Sequence, residues 1–342
     1  MTEERHLPSI ADQEAGIKRF WDYWAKNSAA LAKAIHTVGD TKWQEIVTKL
    51  VKGICESMAW EMGRGLESQH HFCLSSEGDI ELRIIAERWL QSKLPKNEFW
   101  EFHTARQGQY SHGQGIQMGE GEDEFEFDDF RIQIELDEHT ARGHLKVFHP
   151  LFENMRDEND RVRITFIVLD NVIGEDDVEN WVGAVETSQL PIPNGIGLGD
   201  LREALLPIMG QEDVWSQLES KGPEGVVFVV ANLSLKRLHH IFHSTSLVVT
   251  VEFTEDDLSQ EENSLDGLNA LEDDLERILD KQAIFVGHET LINVHRRVMF
   301  FHVIDSPELR QTMAGWLAAN NTWDMKAEYD YDPQWEILRR WR

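Results

Sequence analysis

The stretch "SLDGLNALEDDLERILD" (residues 264–280) decides the fold of the second half of the chain. Its apolar residues recur every three or four positions, which is the period of an amphipathic helix. They are Leu265, Leu268, Leu271, Leu275, Ile278 and Leu279. Acidic residues fill the positions between them, so the stretch predicts a helix with one side against a core.

Strand-like segments surround this helix in a defined order. "SLVVTVEF" (246–253) precedes it, and "QAIFVGHET" (282–290) and "VHRRVMFFHVI" (294–304) follow it. A second helix is predicted for "SPELRQTMAGWLAAN" (306–320), because Ser306 can cap it and Pro307 suits its first turn. "WDMKAEYDY" (323–331) is a last strand. The order β-α-β-β-α-β predicts a ferredoxin-like sandwich over residues 223–342.

Residues 1–190 predict a separate α+β domain with two leading helices and a mainly antiparallel sheet. The predicted strands are "HHFCLSS" (70–76), "FWEFHTARQ" (99–107), "VRITFIVLD" (162–170, taken as central) and "WVGAVETSQL" (181–190), and "FRIQIELDEHTARGHLKVF" (130–148) is a predicted hairpin. The Pro- and Gly-rich "QLPIPNGIGLGD" (189–200) begins a connecting segment over 191–222. The chain is therefore predicted to be an α+β protein of two domains, as its length of 342 residues favours.

The charge balance excludes several partners. The chain has 62 acidic and 33 basic residues, a net charge of −29. A nucleic-acid binder needs a basic surface to neutralise phosphates, and so does a protein that binds an anionic membrane. The acidic balance favours solubility and would attract a basic partner protein. With only Cys55 and Cys73, no apolar leader and only strand-sized apolar runs, a cytoplasmic protein is expected.

An acidic segment at 120–129 is the candidate partner-binding site. Its residues Glu122, Asp123, Glu124, Phe125, Phe127, Asp128 and Asp129 combine acids with aromatic rings. Charge complementarity accelerates association with a basic surface, and aromatic anchors supply affinity. The alternative is a solvated lead-in to the hairpin, with the phenylalanines in the sheet.

"RLHHIFHSTS" (237–246) is the candidate metal site. His239 and His243 are four residues apart, which places them on one face of a helix. A zinc site needs at least three ligands, and a metalloprotease needs glutamate where this chain has His240. The hypothesis is a metal-dependent hydrolase using His239 and His243, and the alternative is a histidine-rich surface turn.

Other catalytic and cofactor motifs are missing from the sequence. It contains no Gly-x-Ser-x-Gly elbow and no phosphate-binding Gly-x-x-x-x-Gly-Lys-Ser/Thr. "GIGLGD" (195–200) lacks the full dinucleotide fingerprint, and "GEDD" (174–177) is interpreted as a turn that starts a helix. No catalytic residue and no cofactor are predicted.

A family resemblance adds to this interpretation. "AIFVGHETLINVHRRVMFFHVID" (283–305) and "AEYDYDPQWEIL" (327–338) resemble the C-terminal half of the bacterial domain-of-unknown-function family 695 and the related ribonuclease E inhibitor RraB group. Asp332, Pro333 and Trp335 match the Asp-Pro-x-Trp with which those families end. In the front half, "FWDYWAKN", "MAWEMGRG", "CLSSEG" and "VLDNVIGEDDVENWVGAVE" are similar to an uncharacterised bacterial domain found beside such modules. The resemblance implies a bacterial cytosolic protein whose best-understood relatives bind and inhibit another protein.

These observations favour a non-enzymatic protein-binding protein of inhibitor, regulatory or immunity type. Its partner would be a basic protein such as a nuclease, whose substrate the acidic surface would imitate. Two alternatives stay open: the metal-dependent hydrolase, and a small-ligand-binding protein with a cleft between its domains. The sequence does not predict an oligomeric state.

Overall fold

The computed structural model describes residues 7–36, 41–93, 98–108, 117–118, 125–222, 225–254 and 265–342. Its α-helices are α1 Ile10–Ala34, α2 Lys42–Lys52, α3 Ile80–Gln91, α4 Glu158–Val172, α5 Glu175–Trp181, α6 Leu201–Leu205, α7 Leu265–Leu279, α8 Pro307–Ala319 and α9 Glu336–Trp341. The mixture of helices with mostly antiparallel strands confirms the α+β class. No helix in the described ranges is long and apolar enough to cross a membrane.

Most strands of the first half are short. They are β1 Ala59–Arg64, β2 His70–Ser75, β3 Trp100–His103, β4 Gln117–Met118, β5 Phe125–Glu126, β6 Arg131–Asp137, β7 Arg142–Phe148 and β8 Val182–Ser188. Those of the second half are β9 Trp215–Gly222, β10 Gly225–Asn232, β11 Thr245–Glu252, β12 Ala283–Leu291, β13 Arg296–Val303 and β14 Asp324–Tyr331. The sheets have the orders β1-β2-β3, β4-β5, β6-β7-β8 and β14-β11-β13-β12-β10-β9.

The chain forms two compact units that are not consecutive in sequence. The first contains residues 1–133, 146–179 and 186–202, and the second contains 134–145, 180–185 and 203–342. Two short segments inside the predicted first domain therefore belong to the second unit. The predicted connecting segment 191–222 contains α6 and β9, and β9 is the last strand of the six-stranded sheet.

The core of the first unit is aromatic. Helices α1 to α3 contribute to one apolar cluster with β1, β2 and β3, because each helix has an apolar stripe at helical spacing. The Phe20 ring packs at 5.0 Å from Trp24 and at 5.4 Å from Trp89, measured between ring centroids. The Trp21 indole donates a hydrogen bond to the Trp89 carbonyl oxygen at 3.1 Å. These contacts fix the sheet against the helices.

One predicted strand of this unit is wrong. The run "VRITFIVLD" (162–170) lies in helix α4. Its β-branched residues favoured a strand. The buried positions Arg161, Thr165, Val168 and Leu169 nevertheless follow helical spacing, and the Asp157 carboxylate caps the helix by accepting from Asn159 N–H. Tertiary burial and the cap therefore outweigh local strand propensity.

The sheet of the second unit is covered on both faces. Leu247, Val249 and Val251 of β11 alternate along the strand and pack in the cluster that includes α7 and α8. Val248 faces the other way, toward a second cluster that includes Trp335 and Leu338. The predicted helices at 264–280 and 306–320 and the four predicted strands around them are confirmed.

Trp335 anchors residues 332–342 to the second face of this sheet. Its indole lies flat on the His302 ring, with centroids 4.2 Å apart and planes 5° apart. The indole N–H donates to the His243 carbonyl oxygen at 2.9 Å. His302 is fully buried, and this burial lowers its pKa to about 3, so it packs as a neutral ring. The sequence motif Asp-Pro-x-Trp is therefore a packing element in this structure.

A buried lysine joins the hairpin turn of β6 and β7 to the rest of the second unit. Lys236 has no exposed surface, and its Nζ atom donates to the carbonyl oxygens of Thr140 at 3.0 Å and Ala141 at 2.9 Å. The same nitrogen lies 4.8 Å from the centroid of the Trp181 ring. Burial, followed by the charges of Arg142 and Arg342, lowers the pKa of Lys236 to about 6.

Candidate functional site

The predicted metal pair does not converge on one point. Residues Arg237–His240 form a 3-10 turn, and His243 follows it. The Nδ1 atom of His239 lies 2.7 Å from Glu212 Oε1, whereas Nε2 of His243 lies 3.2 Å from the Lys281 carbonyl oxygen. Over the described ranges, no group of three or more His, Cys, Asp and Glu side chains is placed to hold a metal ion. The further ligands that a zinc site requires are therefore not assembled there.

Not all residues of the predicted partner-binding segment are available at the surface. Phe125 and Phe127 are buried and pack with Phe130, so these rings belong to the core of the first unit. Asp128 is half-buried and Asp129 is exposed. Glu122, Asp123 and Glu124 lie outside the described residues. The alternative placed the phenylalanines in the sheet: Phe125 does lie in β5, whereas Phe127 lies in a 3-10 turn.

A polar cleft in the first unit is the stronger candidate site. It has a volume of about 550 Å³, within the usual range for small-molecule sites. Charged side chains of both signs line it: Arg106, Arg202, Asp176 and Asp177. Sequence analysis assigned none of these four residues to a site.

Backbone contacts hold the walls of the cleft together. Gly174 has a left-handed backbone (φ 94°), and the Glu175 N–H after it donates to the Arg106 carbonyl oxygen at 3.0 Å. A Cβ atom on Gly108 would lie 2.5 Å from the Ile173 carbonyl carbon, so only glycine allows this approach. The segment after β3 is thereby joined to the turn between α4 and α5, as the interpretation of "GEDD" as a turn and helix start anticipated in part.

Three ion pairs set the electrostatics of the cleft. A guanidinium nitrogen of Arg83 lies 2.9 Å from Asp176, and one of Arg106 lies 3.1 Å from Glu61 Oε2. Arg202 pairs with Asp177. Arg83 is nearly buried, whereas Arg106 and Arg202 are partly exposed. The buried arginine orients Asp176, and the other two present charge at the surface of the cleft.

Two carboxyl groups beside the cleft titrate above their ordinary range. Burial raises the pKa of Asp170 to about 6, the Glu175 charge adds to the rise, and Arg106 opposes it. Burial is also the main cause that raises the pKa of Glu175. Carboxyl groups with raised pKa values beside a cleft are a physical indicator of a functional site. Both carboxyl groups interact with the charge of Arg106. A charged ligand bound beside Arg106 would therefore change how readily they take up a proton.

The chain was compared with protein-family models, with curated proteins and with solved structures. None matches it. The chemistry of the cleft is therefore inferred from its own residues.

The composition of the cleft indicates binding more than catalysis. Two cationic and two anionic side chains line the cleft, and each of them forms an ion pair with another side chain of the protein. Such a surface complements a ligand that carries both a positive and a negative group. Sequence reasoning missed the site because its members come from α5, α6 and the segment after β3, each without a recognisable motif.

Proposed function

We propose that the protein binds a small zwitterionic molecule in the polar cleft of its first unit. The observation that carries the proposal is the pairing of Arg106 and Arg202 with carboxylates around one cavity of about 550 Å³. A ligand with only a negative charge would be repelled by the carboxylates, and a ligand with only a positive charge would be repelled by the arginines. A molecule with both charges meets complementary groups on both sides.

The arginines keep donors for such a ligand. A guanidinium has five N–H donors, and within the described chain the hydrogen bonds of the Arg202 side chain use Nη1 alone. The Arg106 guanidinium uses Nη2 toward Glu61. A ligand carboxylate can therefore bind both side chains while their own ion pairs persist.

Calorimetric titration tests this function with small ligands that carry both charges or only one of them. Glycine and glutamate, which carry both charges, are expected to bind, whereas acetate and methylammonium are not. The change Arg202→Gln should weaken binding about tenfold, because it removes a charge-assisted hydrogen bond. Arg339→Gln is the matched control, since Arg339 forms an exposed ion pair with Glu336 in the second unit. Equal binding of acetate and glycine would contradict the proposal.

For the second unit we propose the ferredoxin-like arrangement. Taken in chain order, β11, β12, β13 and β14 lie in the spatial order fourth, first, third, second, and each neighbouring pair is antiparallel. Helix α7 lies between the first two strands in sequence and α8 between the last two. This order supports the β-α-β-β-α-β unit, with β10 and β9 added beside β12.

Binding of a basic protein is a second proposed function, favoured by one edge of this sheet. Among the described strands, β14 stands at the end of the sheet order and has β11 as its one neighbour. Asp324, Glu328 and Asp330 are exposed on it, as is Lys326, which pairs with Glu328 at 2.9 Å. An acidic edge in a chain of net charge −29 would steer a basic partner toward it.

Capture of a basic protein at low and high salt tests this second function. Neutralising Asp324, Glu328 and Asp330 as amides should release the partner at a lower salt concentration, because surface charge pairs are screened by salt. The matched control neutralises Glu14, Glu45 and Glu56, which are exposed on the first unit and change the net charge equally. The same capture with Glu122, Asp123, Glu124, Asp128 and Asp129 neutralised tests the acidic segment. If the partner leaves the β14 variant and its control at the same salt concentration, β14 is not the binding surface.

A further inference from the structure

A second cavity of the first unit has a different chemical character from the cleft. It is an open pocket with a volume of about 640 Å³, and it is lined by residues from the end of α1, from α2, from β1 and from the start of β2. We propose that it binds a flat aromatic molecule that carries an acidic group.

The charge of the lining selects an anion. The described residues that line the cavity include Arg64, His36 and His70 but no aspartate or glutamate. The described part of this lining is therefore basic, in a chain that has 62 acidic and 33 basic residues. A guanidinium beside two imidazoles favours a carboxylate or a similar anion over a cation.

One indole and two aliphatic side chains form the apolar walls. Trp43 lines the cavity with Ile35 and Met62, and its ring lies 6.0 Å from that of Trp60. Trp60 in turn donates to Thr48 Oγ1 at 3.2 Å and stacks on a ring of the aromatic core. Its support keeps Trp43 in place, and an indole face and a thioether both make favourable contacts with aromatic ligands.

His70 is a polar group that the fold leaves unsatisfied. The residue is only 7% exposed, and its Nε2 atom has no hydrogen-bond partner within the described ranges. Its ring lies 5.1 Å from the His36 ring and 5.2 Å from the Trp100 ring. Burial is the main cause that lowers the pKa of His70, which favours the neutral ring, with one donor and one acceptor nitrogen. A polar ligand atom would satisfy this nitrogen, as buried polar groups require.

The turn beneath the cavity is rigid before any ligand arrives. The Glu101 carboxylate accepts hydrogen bonds from the backbone N–H groups of residues 66, 67 and 68, at 2.8, 2.7 and 2.8 Å. These three residues join β1, which carries Arg64, to Gln69 and His70. A Cβ atom on Gly65 would lie 2.5 Å from the Ser68 carbonyl oxygen, so the tight turn needs glycine there. Binding therefore requires little ordering of this wall.

The experiment titrates the wild-type protein with 2-naphthoate, using calorimetry and saturation-transfer NMR. Two matched probes separate ring from charge: naphthalene-2-carboxamide keeps the rings without the charge, and cyclohexanecarboxylate keeps the charge without the flat rings. The expected result is one-to-one binding of 2-naphthoate, at least about tenfold tighter than either matched probe. Equal binding of the carboxylate and the carboxamide overturns the charge selection, and no saturable binding up to about 10 mM overturns the site.

Two variants locate the binding. Arg64→Gln and Trp43→Leu should each weaken 2-naphthoate binding about tenfold. Lys18→Gln is the matched control: it removes one positive charge from the same unit, at an exposed ion pair with Asp22 on α1. If Lys18→Gln weakens binding as much as Arg64→Gln, general electrostatics explains the binding and the site is overturned. The wild-type comparison of probes remains decisive if a variant does not fold.

Discussion

Replacing Trp335 with alanine is expected to lower the free energy of unfolding of the second unit by about 3–5 kcal/mol. The substitution removes a fully packed indole, its stack on His302 and its hydrogen bond to the His243 carbonyl oxygen. It leaves a cavity in the apolar cluster that includes Leu338, which the short helix α9 cannot refill. Urea denaturation followed by near-UV circular dichroism measures the loss.

Tyr331→Ala is the matched control for this prediction. Tyr331 lies four residues earlier but is 56% exposed, so its removal should cost less than about 1 kcal/mol. If both variants lose similar stability, Trp335 does not anchor residues 332–342, and their contacts with the sheet need another explanation.

The second large effect concerns Lys236 and pH. Relative to Lys236→Met, the wild-type protein should gain about 1.4 kcal/mol of unfolding free energy for each pH unit between about pH 7 and 9. The pKa of this amine is about 6 in the folded protein, against 10.5 for an ordinary lysine. Between these values the unfolded chain binds a proton that the folded protein does not. Raising the pH removes that proton from the unfolded chain, so wild-type stability rises.

Denaturant titrations at several pH values measure this slope. Lys221→Met is the control, because Lys221 is exposed on β9 and its removal should leave the slope of the wild type. A flat difference between wild type and Lys236→Met would show that the ammonium stays charged in the folded protein. The two carbonyl oxygens and the Trp181 ring face would then compensate for its burial.

The C-terminal half was predictable because its local signals agree with its packing. The leucines of α7 repeat at helical spacing, and Leu268, Leu271, Leu275 and Leu279 are all buried. Leu265 is the exception, because it starts the helix and is exposed. In α4 the local signal and the packing disagree: a β-branched run favours a strand, but an aspartate cap and helical burial decide the structure.

Neither cavity could be predicted from the sequence. The charged lining of the cleft depends on pairs such as Arg106 with Glu61 and Arg83 with Asp176, whose members are 45 and 93 residues apart. Only the tertiary fold determines such pairs. What distinguishes His70 is that its buried Nε2 atom has no hydrogen-bond partner in the described part of the chain, which no sequence pattern encodes.

The interleaved division of the chain has a consequence for its synthesis and for dissecting it. Residues 134–145 emerge from the ribosome about 100 residues before Lys236, which their turn needs as a hydrogen-bond donor. The hydrogen bonds between this turn and Lys236 can therefore form only after the intervening sequence has been translated. A fragment starting at residue 203 would lack the carbonyl acceptors of this buried amine. A C-terminal fragment that begins within residues 191–222 is therefore expected to be less stable than the intact second unit. It would lack residues 134–145 and 180–185, although it would keep strands β10 to β14 of the six-stranded sheet.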